Sequence, residues 1–230
     1  MRLRWSALVV LIVVIAGCGI PRDPEGTLDR IRGGTIRVGV IESHPWATTD
    51  PEPAGVEVAL MEGFAREVDA EVEWVPGSES DLVAALEVHA LDVVIGGLTA
   101  DSPWAEPVGL TSPYLTTHLV VGIPPGSRPV DDLDGVRVAV ETGTEAEGLL
   151  RRQDAIPLPV EDLSAAQGPV AVEDWALGDL GLRDAGLELA VSEHVMAVPH
   201  GENALLTKLE QFLSEAEATT DRLLNEAEPR

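Results

Sequence analysis

From Thr35 onward the apolar positions change period repeatedly, and each change marks an element. "TIRVGVI" (Thr35–Ile41) is a short β-branched run, the pattern of a buried strand. "GVEVALMEGFAREVDA" sets Leu60, Met61, Phe64, Ala65 and Val68 at helical spacing, one apolar stripe. "EVEWV" (Glu71–Val75) alternates as a strand does, with Trp74 expected in the core. "SESDLVAALEVHA" opens on Ser78-x-x-Asp81, a capping-box pattern, and continues as a helix. "LDVVIGG" returns to a strand that breaks at a double glycine. The order β-α-β-α-β predicts a parallel sheet with helices on its faces.

The rhythm then restarts. "HLVVGI" (His118–Ile123) predicts a strand, "PPGSRP" a loop and "DLDGVRVAV" a further strand. "TGTEAEGLLRR" reads as a glycine turn into a helix, with Thr144-x-x-Glu147 as its capping box. "IPLPVEDL" is a weak strand and turn, and "DLSAAQGP" leaves room for a helix of one or two turns at most. "GPVAVEDWALGDLGL" predicts a strand feeding a short helix; "LELAV" and "HVMAVP" predict two more strands. "GENALLTKLEQFLSEAEATTDRLL" predicts one amphipathic helix, with Leu205, Leu206, Leu209, Phe212 and Leu213 on one side. Two α/β units in one chain predict two lobes, without a repeat that would indicate duplication.

The first residues follow a different pattern. "MRLRWSALVVLIVVIAGCG" carries two arginines, an apolar run from about Ala7 to Ala16 and small residues before Cys18. A bilayer-spanning helix needs about 20 residues, so the run fits a secretory signal. "IAGC" (Ile15–Cys18) resembles the bacterial lipobox, in which the cysteine becomes the lipidated first residue. Cys18 is the only cysteine, so the mature chain has no thiol for a disulfide, a zinc site or a nucleophile. The expected division is a signal peptide at 1–17, a tether at 18–34, and folded lobes beyond.

Charge narrows the function. The net charge is −25, with 40 acidic residues against 15 Lys and Arg, and Lys208 is the only lysine. A nucleic-acid binder displaces counterions with basic residues, so nucleic acid is excluded as a partner. No phosphate loop, dinucleotide fingerprint or zinc-protease motif is present. His44, His118 and His194 fall near the strand ends but lack tight ligand spacing, and are expected to be structural. No cofactor and no metal are expected.

The order of motifs resembles the family-3 extracellular solute-binding proteins, of the amino-acid-receptor type. "IRVGV…HPW", "GVEVALMEGFAREV", "LDVVIGGLT…TSPY", "DLDGVRVAVETGTEAEGLL" and "GPVAVEDW" carry the resemblance, from Thr35 to Leu213. It implies an α/β, two-lobed periplasmic-binding-protein type II fold. Two parallel-sheet lobes would be joined by two hinge strands, with a reduced second lobe. Lobe 1 would comprise 35–117 plus 195–224 and lobe 2 would comprise 118–194, with the ligand at the strand ends between them.

The resemblance also implies site residues. Trp46 matches the aromatic that stacks on the ligand, Thr99 the turn hydroxyl and Asp174 the acceptor of the ligand's amino group. Gly97 offers close backbone approach, and Thr144 survives in the second glycine turn. Two positions depart from the pattern. Trp104 stands where the arginine that pairs with an α-carboxylate is found, and Glu145 places a carboxylate at a helix start where the family has a donor. Glu57 matches an acidic position at a helix start, explained by capping. Trp104 and Trp175 either face the cleft or fill apolar gaps. Arg128, Arg151 and Arg152 could enter the cleft, but each reads as surface.

The resulting expectation is a monomeric, non-enzymatic lipoprotein on the outer face of the cell membrane. It would capture a small amine-bearing or cationic solute for an ABC permease. The alternatives are an ordinary amino-acid receptor, a sensor without transport, and a dehydratase-like enzyme on the same fold. The last acts on carboxylates, which a cleft without arginine disfavours.

Overall fold

The computed structural model describes residues 23–103 and 107–227. The expected signal sequence, Cys18 and Trp104 therefore lie outside the described residues. Two five-stranded sheets form two lobes. In the first, β1 (Thr35–Val40) lies between β2 (Glu71–Pro76) and β3 (Val93–Ile95) and runs parallel to both. Helix α1 (Thr27–Ile31) precedes β1. Helices α2 (Val56–Glu67) and α3 (Glu79–Glu87) connect the strands, as the period changes predict. Leu60, Met61, Phe64, Ala65 and Val68 are all buried, and the Ser78 hydroxyl accepts from the Asp81 N–H at 3.3 Å as an N-cap.

Strand β4 (Val108–Leu110) leads to β5 (Leu115–Ile123), the first crossing strand. The second lobe adds β6 (Arg137–Glu141), α4 (Ala146–Arg152), β7 (Ile156–Val160), β8 (Val170–Glu173) and β9 (Arg183–His194). The chain then returns to the first lobe as β10 (Ala197–Pro199), α5 (Asn203–Glu215) and α6 (Glu217–Asn225). The sheet orders are β2-β1-β3-β10-β4 and β7-β6-β8-β5-β9.

Several expectations are corrected. Both sheets are mixed rather than parallel: β10 runs antiparallel to β3 and β4, and β5 antiparallel to β8 and β9. The crossing strands bring the chain back in the opposite direction, so parallelism cannot extend across them. β5 starts three residues before His118, and "LELAV" lies inside the twelve-residue β9. That strand follows β5 only by slipping register near Val120, where Gly186 takes a positive φ of 79°. The C-terminal amphipathic segment is two helices, because the turn at Ala216 lets Leu213 and Leu224 both bury against the first lobe. Thr144 does not cap α4; its hydroxyl donates to the Glu141 carbonyl at 2.9 Å, while Glu147 accepts from the Gly143 N–H. The two short-helix expectations hold: "DLSAAQGP" yields one 3₁₀ turn, Leu163–Ala165, and the segment after β8 another, Asp174–Ala176.

Part of the expected tether is structured. Asp23 Oδ1 accepts from Ala204 N and Leu205 N at the start of α5, and its Oδ2 accepts from Leu28 N. Glu202 in turn accepts from Glu25 N and Thr27 N. Each carboxylate thus satisfies helix-end donors of the other segment. Buried Asp92 binds α1 to the sheet through Arg30 and Arg37.

Glu57 also acts elsewhere than expected. It is fully buried and bridges three elements rather than capping its own helix. Oε2 accepts from Gly96 N at 2.5 Å and from Gly97 N at 3.0 Å; Oε1 accepts from the Tyr114 hydroxyl at 2.5 Å. Burial raises its carboxyl pKa, and these three bonds oppose the rise. Removing the acceptor strands two backbone N–H groups and a phenol, at about 1–3 kcal/mol for each group left buried and unpaired. Glu57→Ala should therefore lower unfolding free energy by about 3–5 kcal/mol, measured by urea denaturation. A loss below about 1 kcal/mol, the level of an exposed contact, would contradict the bridging role.

Candidate functional site

The loop after β1 is pinned before it reaches the cleft. Ser43 and Ala47 exchange backbone hydrogen bonds at 2.8 Å, and the carbonyls of Pro45 and Trp46 accept from the first N–H groups of α2. That docking fixes Trp46, whose ring stacks against His194 with centroids 3.9 Å apart. The indole also lies over Gly97, where an added Cβ would meet Trp46 Cδ1 at 2.4 Å. Gly97 has a φ of 74° and can hold this turn because it lacks a side chain.

Facing this loop across the lobe boundary is a cavity of about 340 Å³. The first lobe contributes His44, Pro45 and Trp46. The crossing strands contribute Thr117, Leu119 and His194. The second lobe adds Glu141 from the end of β6, Thr144 and Glu145 from the turn into α4, Glu173 from the end of β8, and Trp175. Among the described residues, no lysine or arginine lines it. Arg128, Arg151 and Arg152 are exposed, and Arg151 pairs with Glu147.

The expected residues divide. Trp46, Thr144 and Glu145 line the cavity, and so does Trp175. Gly97, Thr99 and Asp174 do not. The Gly97 N–H is given to Glu57, and the Thr99 hydroxyl donates to Asp101 at 2.6 Å. Asp174 accepts from the Trp175 N–H at 2.9 Å within its 3₁₀ turn. Trp104 is outside the described residues. Sequence reasoning missed Glu173, Glu141 and Thr117, and treated His194 as structural. Adjacent carboxylates at the end of "VAVED" were the available signal, but only the turn geometry tells which one faces the cleft.

Three side chains in the wall carry buried polar atoms without a protein partner: Glu173 Oε2, Trp175 Nε1 and His194 Nδ1. Among the described residues there is one other such atom, in His89, so the shortfall is concentrated here. Burial is the main cause that raises the Glu173 carboxyl. A Thr117 hydrogen bond lowers it, Asp174 and Glu145 push it further up, and His118 opposes them. Burial lowers His194 to about 4, so the ring is neutral at pH 7. No group of three or more metal-ligating side chains occurs among the described residues.

Residues 36–226 match the family described as bacterial extracellular solute-binding proteins, family 3. The chain belongs to that family. It is similar to the L-cystine-binding protein TcyJ of Escherichia coli (strain K12), 26% identical over 153 residues; the match covers 63% of this chain and 58% of TcyJ. The chain thus spans little more than half the length of this curated relative. Among solved structures, an ancestral cationic amino acid solute binding protein superposes with a TM-score of 0.71 at 21% identity, over 88% of this chain and all of that one. The L-cystine solute receptor of Neisseria gonorrhoeae, in its unliganded open conformation, gives 0.68 at 17% identity, over 86% of this chain and 96% of that one. These structures show a shared two-lobed fold.

The raised Glu173 carboxyl has a consequence for the ligand-free protein. Between the ordinary carboxylate pKa, about 4.3, and its raised folded value, the native state binds more protons than the unfolded state. Stability from this group therefore falls as pH rises through that window. His194, being lowered, works in the opposite sense, so the comparison must isolate Glu173. Glu173→Gln should gain stability relative to wild type as pH rises above about 4.3, then level off. Melting temperatures across pH 4–8 for both proteins test this; parallel curves would contradict it.

Proposed function

We propose that this chain is a solute-binding lipoprotein that takes up a small amine-bearing or cationic solute in the interlobe cleft. It presents the solute to an ABC importer, as a monomer held to the outer face of the membrane by lipid on Cys18. The carrying observation is the charge of the cavity: among the described residues Glu141, Glu145 and Glu173 line it and no lysine or arginine does. Burying a ligand carboxylate there without a paired cation costs several kcal/mol, about, even after relaxation. A cation meets carboxylates and the faces of Trp46 and Trp175, each cation–π contact contributing about 0.5–2 kcal/mol. No bond is broken in this reading; binding couples to closure of the lobes.

The solute class is tested by calorimetric titration with L-lysine and with its decarboxylated amine, cadaverine. Cadaverine should bind at least as tightly. Glu173→Gln should weaken it by about 10- to 100-fold, the equivalent of one charged hydrogen bond, and Asp174→Asn should do less. Much tighter binding of lysine, with Glu173→Gln neutral, would favour an ordinary amino-acid receptor instead.

The anchor rests on "IAGC" at Ile15–Cys18. Cys18→Ser should move the protein from the membrane fraction to the soluble one, because one anchoring signal is removed. Equal retention of both forms in washed membranes would exclude lipid at Cys18 as the anchor.

A further inference from the structure

The chain is fastened to the first lobe much nearer to Cys18 than a tether of 18–34 implies. Asp23 Oδ1 accepts from Ala204 N at 2.7 Å and from Leu205 N at 3.1 Å, and its Oδ2 accepts from Leu28 N at 2.8 Å. Glu202 Oε1 accepts from Glu25 N at 3.1 Å and Oε2 from Thr27 N at 3.2 Å; Glu202 and Thr27 are both buried. Five peptide links separate Cys18 from Asp23, and fully extended they span at most about 18 Å. With lipid on Cys18, the reading on which this inference rests, Asp23 stays within that distance of the bilayer surface.

Strand direction locates the fastening. β1 and β3 run toward the cleft: the Trp46 loop follows the first and the double glycine follows the second. β10 runs antiparallel to β3, away from the cleft, and delivers the chain to Glu202 and α5. Asp23, α1 and the start of α5 therefore share the pole of the first lobe farthest from the cleft. Val88 stands at the same pole, because α3 ends where the chain turns to begin β3, and it is 73% exposed. In the second lobe β6 runs toward the cleft and ends at Glu141. Ile156, paired with Arg137 at the other end of β6, marks the opposite pole of the molecule and is 48% exposed.

We infer that the cleft-distal pole of the first lobe faces the bilayer surface, with the cleft and the second lobe held outward. A folded chain of about 200 residues is on the order of 40 Å across, so the link is shorter than the body it holds and restricts its turning. Attraction to anionic headgroups does not set this orientation. The cations of the pole carry carboxylate partners: Arg30 has Asp92, Arg32 has Asp29, Arg66 has Glu62 and Lys208 has Glu67. Asp69, Glu71 and Glu87 add negative charge at the same end. The face thus has no surplus positive charge with which to bind anionic lipid. The first lobe is the stationary base, and closure of the cleft moves the second lobe.

The test uses the full lipidated chain in vesicles. Lipid on Cys18, the only native cysteine, leaves an introduced cysteine free to take a donor dye. Val88→Cys and Ile156→Cys are labelled in turn, and energy transfer to acceptor-labelled headgroups is measured. Transfer from position 88 should be severalfold stronger than from position 156. A flexible Gly/Ser spacer of about 20 residues inserted after Gly19 adds about 25 Å of reach outside the hydrogen-bonded segment, and should bring the two positions toward equal transfer. The ratio without the spacer should be the same in zwitterionic vesicles and in vesicles with anionic lipid added. Equal transfer from the two positions, a ratio unchanged by the spacer, or a ratio that arises only with anionic lipid would overturn the inference while leaving the anchor intact. Loss of the labelled proteins from washed vesicles would instead overturn the lipid anchor itself.

Discussion

The Glu57 carboxylate is the constraint on which the rest of the cleft depends. It sits near the start of α2, yet its acceptors are spent on the double glycine after β3 and on Tyr114 at the entry to the first crossing strand. One buried group thus fixes a helix, a turn and a hinge relative to one another. It also removes the Gly97 N–H from ligand binding. Trp46 then lies over that glycine, held by a loop that docks on the same helix. The first lobe reaches the cavity mainly as an aromatic wall.

The polar side chains that line the cavity accordingly come mostly from the second lobe and the crossing strands. Thr117 and His194 stand on β5 and β9, and these strands pair from Leu115 with His194 onward. Where the strands leave the first lobe, the backbone is fastened again: the His194 carbonyl accepts from Tyr114 N, and the Leu98 carbonyl from Val195 N. Groups that would touch a ligand are therefore built into the hinge itself. Unpartnered atoms in that wall oppose a closed, empty cleft, since each buried unpaired group is unfavourable by about 1–3 kcal/mol. A solute that pairs them removes the opposition, which couples recognition to closure.

Much of the fold was legible because it is local. Strand and helix periods from Thr35 to Ile95 correspond to observed elements, and Ser78 caps where its spacing predicts. The failures share a non-local cause. Glu57 looks like a helix cap in sequence, but its partners are about forty and fifty-seven residues away. Thr144 and Glu147 have the spacing of a capping box; the turn instead directs the hydroxyl back to Glu141. Glu173 and Asp174 are chemically near-equivalent neighbours, and the last β8 pairing, Leu119 with Glu173, together with the following 3₁₀ turn decides which one lines the cleft. The hydrogen-bonded pair of Thr117 and His194 was not legible either, because it joins residues 77 positions apart.

The central claim is that this cleft holds a cation on second-lobe carboxylate. A crystal structure of the protein with cadaverine bound tests it most directly. The account predicts an ammonium nitrogen about 3 Å from Glu173 Oε2, with the ligand against Trp46 and no arginine in contact. An ammonium seated on Asp174 instead, or a ligand held against Gly97 and Thr99 with Trp46 swung away, would contradict it.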